Sequence, residues 1–187
     1  DVDIQAADLS MSGVNNSAYA FDGFRYDPQL HTATWTLPQP LNKDRLRIDL
    51  DANGAAPVTD LDGNILDGEW VNNSSTISGN GTAGGDFEFN LNLLPTDVNN
   101  SSSITALDYT YIRQLEGKTT SNTGYIAKRD IDGSGVIDSE DWQAAIDSYF
   151  QTLPSGVPAG VNNDAPTTKG IARVEIHDHQ TTVEVSL

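Results

Sequence analysis

Residues 130–141 read Asp-Ile-Asp-Gly-Ser-Gly-Val-Ile-Asp-Ser-Glu-Asp, a run of twelve in which oxygen-bearing side chains fall at positions 1, 3, 5, 9 and 12. These are Asp130, Asp132, Ser134, Asp138 and Asp141; the carbonyl of Val136 stands at position 7. Gly135 occupies position 6, where a loop wrapped around an ion has to turn sharply. A hard dication such as calcium takes about six to eight oxygens, and this spacing offers them from one short segment. The bland alternative is an acidic turn ahead of a helix. A second run has the same frame 33 residues earlier: Asp97, Asn99, Ser101, Thr105 and Asp108, with the carbonyl of Ser103 at position 7. At the ligand positions it holds two carboxylates against four in the later run, and Ser102 stands where the turn glycine would be. Two Ca2+ sites are therefore expected, with the Asp130–Asp141 loop the firmer one. Fewer charges predict weaker binding in the Asp97–Asp108 loop. Ile104 and Ile137 share position 8, the apolar place through which paired loops join.

The elements that must hold these loops fall into three stretches. Residues 1–94 read as β structure. Leu46, Ile48 and Leu50 alternate with Arg45, Arg47 and Asp49, and Phe87, Phe89, Leu91 and Leu93 alternate with Glu88, Asn90 and Asn92. Val2/Ile4, Leu9/Met11, Tyr19/Phe21, Phe24/Tyr26 and Thr32–Leu37 show the same period of two. Clusters of Gly, Asn, Asp and Pro break these runs, as in an antiparallel sandwich. Val71–Asp86 is Asn/Ser/Gly-rich and predicts a long surface loop. In residues 95–154 the period changes to that of helices, over Ala106–Leu115 and Ser139–Phe150. Ser139 is the expected N-cap of the second. Docking of the two helices is expected through Leu107, Tyr111, Trp142, Ile146 and Phe150. Residues 155–187 begin as a Pro/Gly/Asn linker and continue as two alternating runs, Ile171–Ile176 and Thr182–Leu187. A lone pair of strands is marginal in water, so these should pack on this chain, on more of a longer protein or on another copy.

An ordinary EF-hand flanks its loop with helices on both sides. Here each loop has only an exit helix: Leu93-Leu94-Pro95 precedes the first, and the polar stretch Glu116–Arg129 precedes the second. With DVNNSSSITALDYTYIRQL and DIDGSGVIDSEDWQAAIDSYF, the stretch Asp97–Pro154 resembles the dockerin type I family. The resemblance implies a half EF-hand pair with Asp closing each loop, and calcium ligands at the positions named. It also implies a cohesin-like protein partner, chosen by the helix-start residues Ala106 and Leu107 in repeat one and Ser139 and Glu140 in repeat two. VTDLDGNILDGEW and GNGTAGGDFEFNLNLLPTDVN resemble immunoglobulin-like domains that precede dockerin repeats in large secreted bacterial proteins. NNDAPTTKGIARVEI resembles the entry strand of a following cadherin-like or immunoglobulin-like repeat. The fold class expected is mostly β with a small α part. An immunoglobulin-like β-sandwich (1–94) would be followed by the dockerin-like module (95–154) and a linker with a β-strand tail (155–187).

Composition narrows the function classes. The chain has 187 residues, 27 acidic and 10 basic, for a formal charge of −17. No basic face for nucleic acid is available, and docking on anionic lipid is disfavoured. No run is apolar enough to span a bilayer, and the opening DVDIQAADLS has no leader character. Cysteine is absent, which excludes disulfides and thiol chemistry. No sequence motif pairs a nucleophile with a base, so an enzyme is not expected. Weaker candidates are a His177-x-His179 metal pair, a third calcium cluster among Asp49, Asp51, Asp60, Asp62 and Asp67, and carbohydrate stacking on Trp35 or Trp70. Core packing is the better reading of Trp35. Together the residues predict a calcium-stabilised structural and protein-contact segment of a large extracellular or cell-surface bacterial protein. Its partners would be a neighbouring domain, an identical subunit joined through the terminal strands, or a cohesin. The alternatives are a dockerin anchoring an enzyme to a scaffold, or a carbohydrate-binding accessory module.

Overall fold

The computed structural model describes residues 2–72, 74–159, 172–177 and 180–186. Strands β1 (Val2–Asp3), β2 (Leu9–Gly13), β3 (Gly23–Asp27), β4 (Thr32–Thr36), β5 (Asp44–Leu50), β6 (Thr59–Asp60) and β7 (Phe87–Leu93) precede the loops. Helices α1 (Ala106–Arg113) and α2 (Ser139–Asp147) follow, and then strands β8 (Ala172–His177) and β9 (Gln180–Ser186). Both helices end sooner than their apolar period predicts, because the chain turns left-handed at Gly117 and Phe150. Tyr19 and Phe21 pack on the core from a loop rather than a strand.

Three strands form one sheet in the order β2-β5-β7, and four form another in the order β3-β4-β9-β8; β1 and β6 pair apart. All pairings are antiparallel. The alternation in β5 is obeyed residue by residue: Leu46, Ile48 and Leu50 are buried and the residues between them half-buried. Met11, Leu46, Ile48 and Phe89 from the first sheet share one core with Ala33 and Trp35 of the second. Trp35 is fully buried, with its indole N–H donated to the Ala6 carbonyl at 3.0 Å. Asp44 is also fully buried, and is satisfied: it accepts from the amides of Val14, Asn15 and Arg45 and from the Tyr19 hydroxyl.

Strand β9 lies against β4, with Val183 opposite Trp35 and Val185 opposite Ala33. The terminal hairpin is thus paired to the β part of its own chain. Addition to a neighbour's sheet presupposes an unpaired hairpin, whereas β9 is paired with both β4 and β8. Residues 95–154 consequently lie, along the chain, between strands of one two-sheet body. Their entry and exit meet at β5, where Arg45 donates from Nε to the Pro154 carbonyl at 2.8 Å and from Nη1 to Asn92 Oδ1 at 3.1 Å.

Candidate metal centre

The two loops share a backbone course and most of their internal bonds. In the first, Asp97 accepts from Ser101 N and Ser102 N, Asn99 Oδ1 accepts from Ser101 N, and Ser101 Oγ donates to the Ser103 carbonyl. In the second, Asp130 Oδ2 accepts from Gly135 N, Asp132 Oδ1 from Ser134 N, and Ser134 Oγ donates to the Val136 carbonyl. The backbone is left-handed at positions 4 and 6 of both: Gly133 and Gly135 in the second, Asn100 (φ 60°) and Ser102 (φ 66°) in the first. The degenerate loop therefore keeps the shape of the regular one without its glycines.

Positions 9 and 12 do two jobs. Thr105 and Asp138 are the N-caps of α1 and α2, accepting from Leu107 N and Glu140 N. Asp108 and Asp141 complete capping boxes by accepting from Thr105 N and Asp138 N. The cap of α2 is thus Asp138, not Ser139; the loop's position-9 ligand and the helix N-cap are one residue. Asp108 and Asp141 are both fully buried, and each also reaches back to the loop entry: Asp108 accepts from Asn99 N, and Asp141 from Ile131 N and Asp132 N.

The carboxylates of Asp130, Asp132 and Asp141 offer oxygens within 4.8 Å of one another. Asp130 is 8% exposed, and its Oδ1 is buried with no hydrogen-bond partner. A buried anionic oxygen without a donor is costly, and a bound cation is what would satisfy it. An all-oxygen donor set of this kind fits calcium. Burial, with a smaller push from the Asp132 carboxylate, raises the Asp141 carboxyl above its ordinary value. In the first loop both oxygens of Asp97 have amide donors.

Two residues that the calcium frame does not contain belong to the site. The Tyr125 hydroxyl donates to Asp130 Oδ2 at 2.5 Å, and that bond pushes the phenol up to about 12. Lys128 donates from Nζ to Asn100 Oδ1, bringing an ammonium over the first loop. Partial desolvation lowers its pKa, while Asp97 and Asp108 act the other way. These residues lie outside the span of the ligand spacing, so no frame count could find them.

The helices meet through equivalent positions. Ile112 and Ala145 are fully buried, and Tyr109 packs edge-on to Trp142 with ring centroids 6.0 Å apart. Each pair is related by the 33-residue repeat. Trp142 belongs to this core as expected, but Leu107 and Phe150 do not: they are 57% and 90% exposed. The position-8 isoleucines do not join loop to loop either. Ile104 exchanges backbone bonds with Phe150 and Gln151, and Ile137 with Gly117 and Lys118, so each loop is clasped to the exit of the other repeat's helix.

Other candidates are dispersed. Asp49 pairs with Arg47 at 2.6 Å, Asp60 closes its own turn on Asp62 and Asn64, and Asp67 holds the amides of Asn80 and Gly81. Trp70 packs on Phe87 and Phe89. His179 lies outside the described residues.

A pseudo-symmetric pair of oxygen-lined loops, each with a single exit helix, defines a class of paired half EF-hand modules. Residues 95–147 match the family model for the dockerin type I domain, which confirms that resemblance over this part of the chain. Comparison with curated proteins and with solved structures returned no match. Among the described residues no helix is long and apolar enough to cross a membrane.

Proposed function

We propose that this chain is a calcium-stabilised structural and protein-contact segment of a large extracellular or cell-surface bacterial protein, and not an enzyme. The β part is read as an immunoglobulin-like sandwich carrying the dockerin-like module. The observation that bears the most weight is the buried, donorless Asp130 oxygen beside Asp132 and Asp141. Residues 97–154 hold nine acidic side chains and four basic ones, so the loops repel themselves until a cation is present. Calcium binding then contributes to folding by linkage, and extracellular calcium near millimolar is enough even for weak loops.

A second reading is favoured by a specific feature. Dockerins bind cohesin modules at helix-start residues, and here Ala106, Leu107, Ser139 and Glu140 are all exposed. The repeats differ at those places, so binding in two equivalent orientations is not expected. One experiment separates the readings. Calcium is titrated by calorimetry, sedimentation velocity is run with and without EDTA, and a cohesin panel is then tested. Two sites and a calcium-dependent 1:1 cohesin complex support recruitment to a scaffold. Two sites without a cohesin complex support the structural segment. Absence of calcium binding overturns both.

A further inference from the structure

The loops match in backbone and differ in charge. The second brings three carboxylates together and leaves Asp130 Oδ1 without a donor. The first has only Asp97 and Asp108, and both Asp97 oxygens are held by amides. Over that first loop stands Lys128, bonded to Asn100 at position 4 and within electrostatic reach of both Asp97 and Asp108. Its position is built rather than incidental. Lys128 sits in the short 3-10 turn Ala127–Arg129 that leads into the second loop. The next residue, Arg129, ties that turn to α1 by donating to the Tyr111 carbonyl at 2.7 Å and stacking on the Tyr111 ring at 5.4 Å. By the repeat's symmetry the place that would deliver a cation to the second loop is Pro95, which has no charge.

We propose that Lys128 is the resident cation of the first loop. Its tethered ammonium offsets Asp97 and Asp108 when no metal is present, and it raises the calcium concentration needed to fill that loop. The two sites then fill in order, second loop first. Like charges repel, so a dication entering beside a fixed ammonium binds more weakly, or has to displace it from Asn100. This rests on the calcium reading above.

The test uses the whole chain, nitrogen-15 labelled, titrated with calcium chloride at constant neutral pH and ionic strength. The amides of Ser102 and Gly135 each donate to the first carboxylate of their loop, and so report the two loops separately. Gly135 should respond at lower calcium than Ser102. Lys128→Met should move the Ser102 midpoint to lower calcium by about tenfold, the scale for losing one nearby like charge at surface dielectric. It should leave the Gly135 midpoint within about twofold. Lys128→Arg should keep the wild-type order. In metal-free protein, Lys128→Met should also speed hydrogen exchange at Ser101 and Ser102. An unchanged or higher Ser102 midpoint in Lys128→Met, with both amides responding, overturns the proposal and leaves calcium binding intact. No response from either amide in the wild type overturns the calcium reading, and the proposal with it.

Discussion

Comparing the two repeats position by position, 33 residues apart, exposes the residues that break the pattern. Gly117 ends the clasp of α1 with φ 82°, and at the same place after α2 stands Phe150, with φ 66° and 90% of its surface in water. A bulky residue in the left-handed region costs about 1–2 kcal/mol. Phe150→Gly should therefore stabilise the calcium-loaded protein by about 1 kcal/mol, raising its melting temperature by about 2–4 °C. A lower melting temperature would mean that Phe150 packs on something in solution. At Asp141 the expectation concerns pH. Burial raises its carboxyl above the ordinary 3.8, so in metal-free protein this group takes up its proton at a higher pH than in the unfolded chain. Its charged form therefore costs stability as pH rises through the raised value, and the same proton competes with calcium as pH falls. Calcium affinity of the second loop should therefore begin to drop above pH 3.8, and Asp141→Asn should remove that limb of the profile. Calorimetric titrations over a pH series would show it, and an affinity flat down to 3.8 would refute it.

At the scale of elements, helices of eight and nine residues are too short to stand alone in water. Their capping boxes and their mutual core supply what propensity does not. Ile112 is fully buried between them, so Ile112→Ala should cost about 2–5 kcal/mol. Leu107 is exposed on the same helix, and Leu107→Ala should cost less than about 0.5 kcal/mol. Urea denaturation in saturating calcium tests the contrast. Equal losses would restore the docking face read from the helical period. Helical period alone turns Leu107 inward, since it lies four residues before Tyr111 and eight before Leu115. The crossing of the helices instead selects Tyr109 and Ile112, and no single helix's periodicity contains that choice.

At the scale of the molecule, the loops and the β part are joined at Arg45. Its guanidinium gathers the end of β7, through Asn92, and the end of the module, through Pro154. Arg45→Ala should leave the calcium stoichiometry unchanged while splitting one calorimetric melting transition into two. A single transition in the variant would show that the coupling runs elsewhere. The hairpin β8–β9 makes the second prediction at this scale. Val183→Pro, in a strand paired on both sides, should break the ladder with β4 and leave an open edge that promotes self-association in sedimentation velocity. A monomeric, equally stable variant would show that β9 does not hold that edge.

The calcium frame, its duplication and the weaker charge of the first copy were legible in the sequence, because ligand spacing in a short loop is a local property. The alternation of Leu46, Ile48 and Leu50 was legible for the same reason. Three things were settled only by tertiary structure. Which apolar residues of each helix face inward depends on the partner helix. The tail joins β4 because pairing between strands far apart in the chain follows from the space left at a sheet edge, not from either strand's pattern. Tyr125 and Lys128 reach the loops only once the 127–129 turn is laid against α1, since a charge acts through distance in space and not through position along the chain.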